Sequence, residues 1–336
     1  MNIFNELNLA RVRKALQNSN KVVIVAHKSP DGDSIGSSLG LFHYLKRKGF
    51  DVTICHPDPA PHFLHWLSGA DEIVNAEEQF DLSKEYIQDA DLIFCLDFNS
   101  MSRVGKLEKS ITKADATKIM IDHHLNPSDE FDISFSDPKS CSTAQLIIDF
   151  IEANEDIGLL NEDIGEPLYC GIMTDTGSFR FPSVTPHTHE VVATLMKAGV
   201  KSYKIHEAVF DTNTVDRLKL RRFAIHEKME FLEEHNTVLI SLTQQELKQF
   251  NSVKGDTEGL VNIGLSIQGI TKSIFLKEDG GIIKISFRSK GQDNPVNMMA
   301  NNYFQGGGHA NASGGKWEGS INQAIAEIKR VLPEFD

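Results

Sequence analysis

Val22-Val23-Ile24-Val25-Ala26-His27-Lys28-Ser29-Pro30-Asp31-Gly32-Asp33 is the stretch from which the fold can be read. Five apolar residues in a row fit a strand buried on both faces, and Pro30 and Gly32 force a polar turn directly after it. Over 34–48 the apolar positions Ile35, Leu39, Phe42 and Leu45 recur at the spacing of one helix face, and Gly49 stops the pattern. A second apolar run at 52–55 completes a βαβ unit with 34–48 as its crossover helix. Strand, turn, helix and strand in that order build a parallel sheet.

The pattern continues outward. Apolar runs at 92–96 and 118–121 read as further strands, and 144–153, 167–173 and 189–197 as helices, the last stopped by Gly199. The stretch 200–234 is richer in charge and reads as helical, notably 215–233 with its repeated Arg, Lys and Glu. Beyond it come strands at 237–242, 273–277 and 281–287 and an amphipathic helix at 321–331. The fold class expected is α/β. A doubly wound, mostly parallel N-terminal sheet domain at 1–199 is joined by a helical connector at 200–234 to a smaller α/β C-terminal domain at 235–336. No repeat of fixed period is present, which excludes a solenoid.

The chain has 336 residues, 40% hydrophobic and 24% charged, the balance of a globular protein large enough for two cores. It contains no run of eighteen apolar residues, and its first sixteen residues mix Asn, Glu, Arg and Lys, so neither a membrane span nor a signal peptide is expected. Cys55, Cys95, Cys141 and Cys170 are far apart and form no CxxC pair. That spacing argues against a zinc ribbon or a disulfide framework and for a reducing cytoplasm. A net charge of −13 excludes tight coating of duplex DNA, which requires many phosphates to be neutralised at once. It leaves room for a short anion held in a local basic pocket.

The chemistry gathers where the predicted strands end, which is where open α/β sheets bind ligands. The turn after the first strand offers His27, Asp31 and Asp33. Taken alone, Asp-Gly-Asp before a helix reads equally well as an N-cap. Asp97 closes the run 92–96, and an acid there also serves as a cap. Asp122-His123-His124 follows 118–121; two adjacent histidines point to opposite faces of a strand and make poor core filler. Asp175 stands between Thr174 and Thr176 in 171–177, where a turn is the plain reading. Together these strand-end or loop sites bring Asp31, Asp33, Asp97, Asp175, His27 and His123 to one place. Four crowded carboxylates repel by several kcal/mol at intermediate dielectric. Two divalent cations balance them and leave the imidazoles as neutral ligands.

Asp122-His123-His124 and the three motifs around it resemble the DHH phosphoesterase superfamily, named for that triplet. In the second half, Phe287-Arg288-Ser289 and the stretch from Gly306-Gly307-Gly308-His309 to Ser313-Gly314-Gly315 resemble the substrate domain that accompanies it. The resemblance covers nearly the whole chain. It implies one metal on His27, Asp31 and Asp97 and another on Asp33, Asp97, His123 and Asp175, with Asp97 bridging. It further implies manganese, with magnesium the alternative, Asp122 orienting a neighbouring imidazole, and His124 facing the scissile phosphate. A two-domain chain of this length is most similar to the oligoribonucleases that also dephosphorylate 3′-phosphoadenosine 5′-phosphate. Short oligonucleotides or small nucleotides are then the substrates, and a homodimer is compatible with the family.

Such a pair of ions activates a water for in-line attack, with no covalent enzyme intermediate. Charge on the non-bridging oxygens is left to Arg288 and His309, while Gly306, Gly307 and Gly308 let backbone N–H groups approach an anion. Arg103, Arg180 and the hydroxyls of 140–143 could touch substrate too, or be solvated arginines and a cap on Ser142. Sibling activities of the superfamily remain as alternatives: a cyclic or linear dinucleotide phosphodiesterase such as one for cyclic di-AMP or pApA, an exopolyphosphatase, or an inorganic pyrophosphatase. A non-catalytic nucleotide-binding protein is the rival from another class, and it predicts a lost acid where none is lost.

Overall fold

The apolar runs become parallel strands in a computed structural model of the chain, which describes residues 3–291 and 293–335; the expected domain ends at 1 and 336 lie outside that set. Strands β1 (Lys21–Ala26), β2 (Asp51–His56), β3 (Val74–Asn75), β4 (Leu92–Leu96), β5 (Thr117–Asp122) and β6 (Ile133–Ser136) form one sheet in the order β3-β2-β1-β4-β5-β6. Every neighbouring pair is parallel. β3 and β6 carry no clear sequence signal, being two residues and a four-residue Ile-Ser-Phe-Ser. The strand order reverses between β1 and β4, the switch point at which such sheets open a crevice at their carboxyl ends.

Both faces of this sheet are covered, which is why its central strands β1 and β4 are nearly continuous apolar runs rather than alternating. The helices are α1 (Glu6–Gln17), α2 (Gly32–Arg47), α3 (Phe80–Gln88), α4 (Glu108–Lys113), α5 (Thr143–Ala153), α6 (Glu162–Asp175), α7 (Pro186–Lys197) and α8 (Ser202–Phe210). Val22, Ile24, Phe94, Leu96 and Ile121 share a core with Leu39 of α2, Ile147 of α5 and Leu168 of α6. Their strand neighbours Val23, Val25, Ile93 and Met120 face the other way, toward Ile87 of α3 and Ile111 of α4.

α2 and α6 pack more closely than ordinary side chains allow. Gly32, Gly36 and Gly40 recur every fourth residue and so form one stripe along α2. They meet Thr174, then Pro167 with Gly171, then Leu168, so the two helices run antiparallel. A Cβ on Gly36 would stand 2.3 Å from the Pro167 carbonyl oxygen, which is backbone and cannot swing aside. The first turn of α2 therefore lies against the last turn of α6.

The chain divides between Thr212 and Asn213, inside the stretch expected as a connector, so that α8 belongs to the first unit and α9 (Val215–Glu227) to the second. The helix expected over 215–233 stops at Glu227. Met229–Leu232 is instead an edge strand, β7, antiparallel to β8 (Thr237–Leu242). The charge density of this region reads as helix, but hydrogen bonding along β8 decides its conformation, a tertiary effect that local propensity does not carry. The second sheet adds β9 (Lys272–Asp279), β10 (Ile282–Ser289), β11 (Gly307–His309) and β12 (Ala312–Trp317) in the order β11-β12-β10-β9-β8-β7, with only β8 and β9 parallel. α9, α10 (Gln244–Gln249) and α11 (Leu260–Leu265) cover one face, and α12 (Asn297–Tyr303) and α13 (Ile321–Val331) the other. Among the described residues, no helix is long and apolar enough to cross a membrane, and all four cysteines are free and buried.

Candidate metal centre

Three strand ends and one helix pair supply the side chains. His27 follows β1, Asp97 follows β4, and Asp122 ends β5 with His123 and His124 behind it. These positions flank the switch point of the sheet. Asp31 and Asp33 stand at the start of α2. Asp175 is the last residue of α6, a correction to its expected place at a strand end or in a loop. Closure of the glycine seam between α2 and α6 brings Asp175 to the others.

The six expected ligands converge. His27 Nε2 lies 3.3 Å from Asp97 Oδ2 and 3.8 Å from Asp31 Oδ2. His123 Nε2 lies 3.6 Å from Asp97 Oδ1, 3.6 Å from Asp175 Oδ2 and 3.8 Å from Asp33 Oδ2. One carboxylate, Asp97, thus faces both imidazoles with different oxygens. All five of these gaps exceed a hydrogen bond, for which about 2.7–3.2 Å is normal. They match instead the spacing of two ligands on one ion, roughly 3–4 Å when each bond is near 2.1 Å.

The imidazoles are oriented for that role. His27 Nδ1 lies 2.8 Å from the Lys28 carbonyl oxygen and His123 Nδ1 3.3 Å from that of Ser140. With Nδ1 donating its proton there, each ring presents the lone pair of Nε2 to the carboxylates, the arrangement that metal-binding histidines use. Asp31 does two things at once. Its Oδ1 accepts the Asp33 and Ser34 amides as the N-cap of α2, while Oδ2 is left facing His27. The cap reading of this residue holds, and its second oxygen stays among the candidate metal ligands. Asp33 is held by the Thr143 and Ala144 amides at the start of α5, at 2.6 and 2.8 Å, and Thr143 Oγ1 donates to Asp97 Oδ1 at 3.0 Å. Ser142 caps α5 through the Gln145 amide.

The electrostatics call for positive charge. Asp33 and Asp97 are each 2% exposed. Burial, reinforced by the charges of Asp33 and Asp31, pushes Asp97 well above the usual carboxylate range. Burial and Asp33 push Asp175 up to about 7. Burial opposes a charge on His123, yet Asp175, Asp97, Asp33 and Asp122 outweigh it and raise the imidazole to about 9. Each of these shifts follows from negative charge crowded into a buried space, which a bound cation would relieve. The donors are carboxylate and imidazole without thiolate, a set that suits divalent ions such as manganese, magnesium or zinc. Asp97 also adopts φ +63, a left-handed conformation that costs an L-residue about 1–3 kcal/mol. Strain of this kind persists only where surrounding structure imposes it.

Asp122 and His124 form a pair beside the cluster. Asp122 is fully buried, and its Oδ1 accepts from His124 Nδ1 at 2.7 Å. His124 also approaches Asp97 Oδ1 at 3.8 Å, and its ring stands edge-on to those of His27 and His123. Arg103 is half-buried, and its carbonyl oxygen accepts the Lys28 amide at 2.8 Å, tying its loop to that of His27. Sequence reading does not single out the carbonyls of Lys28 and Ser140 or the α2–α6 seam; the four-residue recurrence of Gly32, Gly36 and Gly40 is the signal for the last.

In the second unit, Arg288 on β10 pairs with Ala312 on β12, and Ala312 pairs with His309 on β11. Residues directly opposite across antiparallel strands point to the same face. Arg288 and His309 therefore share a face, two strand spacings apart, with a small alanine between them. Gly306 serves strand packing, because a Cβ there would stand 1.9 Å from the Gly314 carbonyl oxygen, and Gly308 has φ +137; Gly307 meets nothing.

Residues 21–172 match the model of the DHH family, N-terminal domain. The bifunctional oligoribonuclease and PAP phosphatase NrnA of Thermus thermophilus is 29% identical, over 97% of this chain and 93% of its own, and that of Bacillus subtilis 26% identical, over 94% and 96%. The crystal structure of an exopolyphosphatase-related protein from Bacteroides fragilis superimposes with a TM-score of 0.95 at 36% identity, covering 98% of this chain and 97% of its own. By its motifs, its parallel sheet with acids and histidines at the strand ends, and these relatives taken together, the chain belongs to the DHH family.

Proposed function

We propose that this chain is a metal-dependent phosphoesterase that hydrolyses short oligoribonucleotides and 3′-phosphoadenosine 5′-phosphate. The observation that carries the reading is the convergence of His27, Asp31, Asp33, Asp97, His123 and Asp175 with both Nε2 atoms turned inward. The NrnA relatives, which match along nearly their whole length, supply the substrate class.

His27, Asp31 and Asp97 would hold one divalent ion and Asp33, Asp97, His123 and Asp175 a second, with manganese assigned ahead of magnesium. Bound there, the ions would supply Lewis acidity, acidifying a water for attack on phosphorus and countering charge on the phosphate. The protein's own groups do the rest. Lys28 and Ser140 hold the imidazoles in one tautomer through their carbonyls. Asp122 holds His124 through Nδ1, so that Nε2 can give a proton to the departing oxygen. Arg288 and His309, with the amides of Gly306, Gly307 and Gly308, are assigned to the non-bridging phosphate oxygens, and Arg103 to a further phosphate.

The test is hydrolysis of short RNA, pApA, cyclic di-AMP, 3′-phosphoadenosine 5′-phosphate, pyrophosphate and polyphosphate, with manganese, magnesium or chelator present. Turnover of short RNA and the bisphosphate nucleotide, lost with chelator, is the expected result. Turnover confined to polyphosphate or pyrophosphate would overturn the substrate class.

A further inference from the structure

Immediately after Asp175 the chain does something rare. Gly177, Ser178 and Phe179 have φ of +57, +61 and +64, three consecutive left-handed residues of which two carry side chains. Single left-handed residues are common in turns, but runs of them in L-amino acids are not. Surrounding structure holds this one. The Ser178 amide donates to the Met173 carbonyl, Ser178 Oγ meets His206 Nε2 at 3.1 Å, and the Phe179 amide donates to Thr176 Oγ1. The Phe179 ring turns inward against Tyr169 and His189.

The consequence falls on the next two residues. The Arg180 and Phe181 amides both donate to the Thr176 carbonyl, at 2.9 and 3.1 Å, so the chain is folded back onto the residue beside Asp175. Arg180 Nε donates to the Gly177 carbonyl at 2.8 Å, and among the described residues its Nη groups have no partner. Phe181 is 42% exposed, yet its ring is not loose. It lies over Gly177, where an added Cβ would come within 2.6 Å of it. An exposed aromatic face held over Gly177 and a guanidinium held by the Gly177 carbonyl thus come from adjacent residues, one short turn from a carboxylate of the candidate metal cluster.

We propose that this turn is a nucleotide platform: Phe181 stacks a nucleobase of the substrate and Arg180 holds a phosphate next to it. The proposal rests on the oligonucleotide reading above and deepens it. Stacking on an aromatic ring accepts any base, because every base has a π-face. A platform of this kind suits an enzyme that takes short RNA of any sequence, and it explains why strain is kept at this point of the chain rather than relieved.

The test uses the full chain with manganese, a 5′-phosphorylated diadenylate, and the same sugar-phosphate dimer without bases. Wild type should show a lower KM for the diadenylate than for the baseless dimer. F181A should raise KM for the diadenylate by about tenfold, with kcat little changed and no effect on the baseless dimer. F181W should restore the wild-type value. R180Q should raise KM for both dimers alike. Equal KM for both dimers in wild type, an equal loss on both in F181A, or failure of F181W to rescue would each overturn the platform. If wild type cleaved neither dimer, the oligonucleotide reading itself would fall, so the two failures can be told apart.

Discussion

The candidate metal cluster has two sides that are built differently. His27, Asp97 and His123 sit on strand ends, fixed by the hydrogen-bonded register of β1, β4 and β5. Asp33 and Asp175 sit on helix termini, and their separation depends on how tightly α2 packs against α6. A sheet sets positions through its backbone ladder, whereas a helix pair sets them through the size of the side chains between. The first side should be insensitive to changes away from the ligands, and the second should not be.

The strongest way to break this contrast is at the residue facing both imidazoles. Asp97→Ala should lower turnover by roughly a thousandfold or more and abolish loading of both metal sites, with the fold retained in circular dichroism. Full loading of either site in that variant would end the bridging role. Asp122→Asn should keep both ions and lose about 10- to 100-fold in kcat, because the carboxylate acts through His124. Metal stoichiometry by elemental analysis beside kcat separates this variant from the first.

The helix-borne side is probed without touching a ligand. Gly36→Ala should push α2 off α6, destabilise the chain by about 1–3 kcal/mol in denaturant unfolding, and weaken metal binding in calorimetry. A matching Val23→Ala in the sheet core should cost a similar amount and leave metal affinity unchanged. If the two variants moved metal affinity equally, the contrast between sheet and helix pair would be lost.

The smallest effect is on pH dependence of the metal-free chain. Asp175 rises from 3.8 to about 7 on folding, so the folded state keeps a proton that the unfolded state has released, and stability falls as pH climbs through that window. His123 rises from 6.5 to about 9, so its favourable contribution is full below 6.5 and is lost as pH climbs toward 9. Tm of the metal-free protein should decline from mildly acid to alkaline pH, and Asp175→Asn should flatten the lower part of that decline. The stabilisation produced by added manganese should grow over the same range.

Much of this was legible from residues alone, and the limits have physical causes. The strand-end candidates can be placed because a buried parallel strand is a run of apolar residues with an abrupt polar end, as at Ala26-His27 and Leu96-Asp97. Asp31 can be read as ligand or cap because a carboxylate has two oxygens: one caps α2 and the other faces His27. Asp175 was harder to place, since a helix end packed by glycines leaves no apolar run to mark it. β11 and β12 carry no such mark for a related reason. Their Gly-rich pairing at Gly307 and Gly314 is a contact between backbones, which side-chain patterns do not report.

The left-handed Asp97 has a consequence for how this protein can drift. Glycine is the residue best suited to φ +63, so Asp97→Gly should relieve the backbone and remove a carboxyl that burial and neighbouring acids disfavour in its charged form. Such a chain would be sturdier than its parent and inert. Selection for durability alone pulls toward that residue, and only a continuing need for turnover keeps the acid in place.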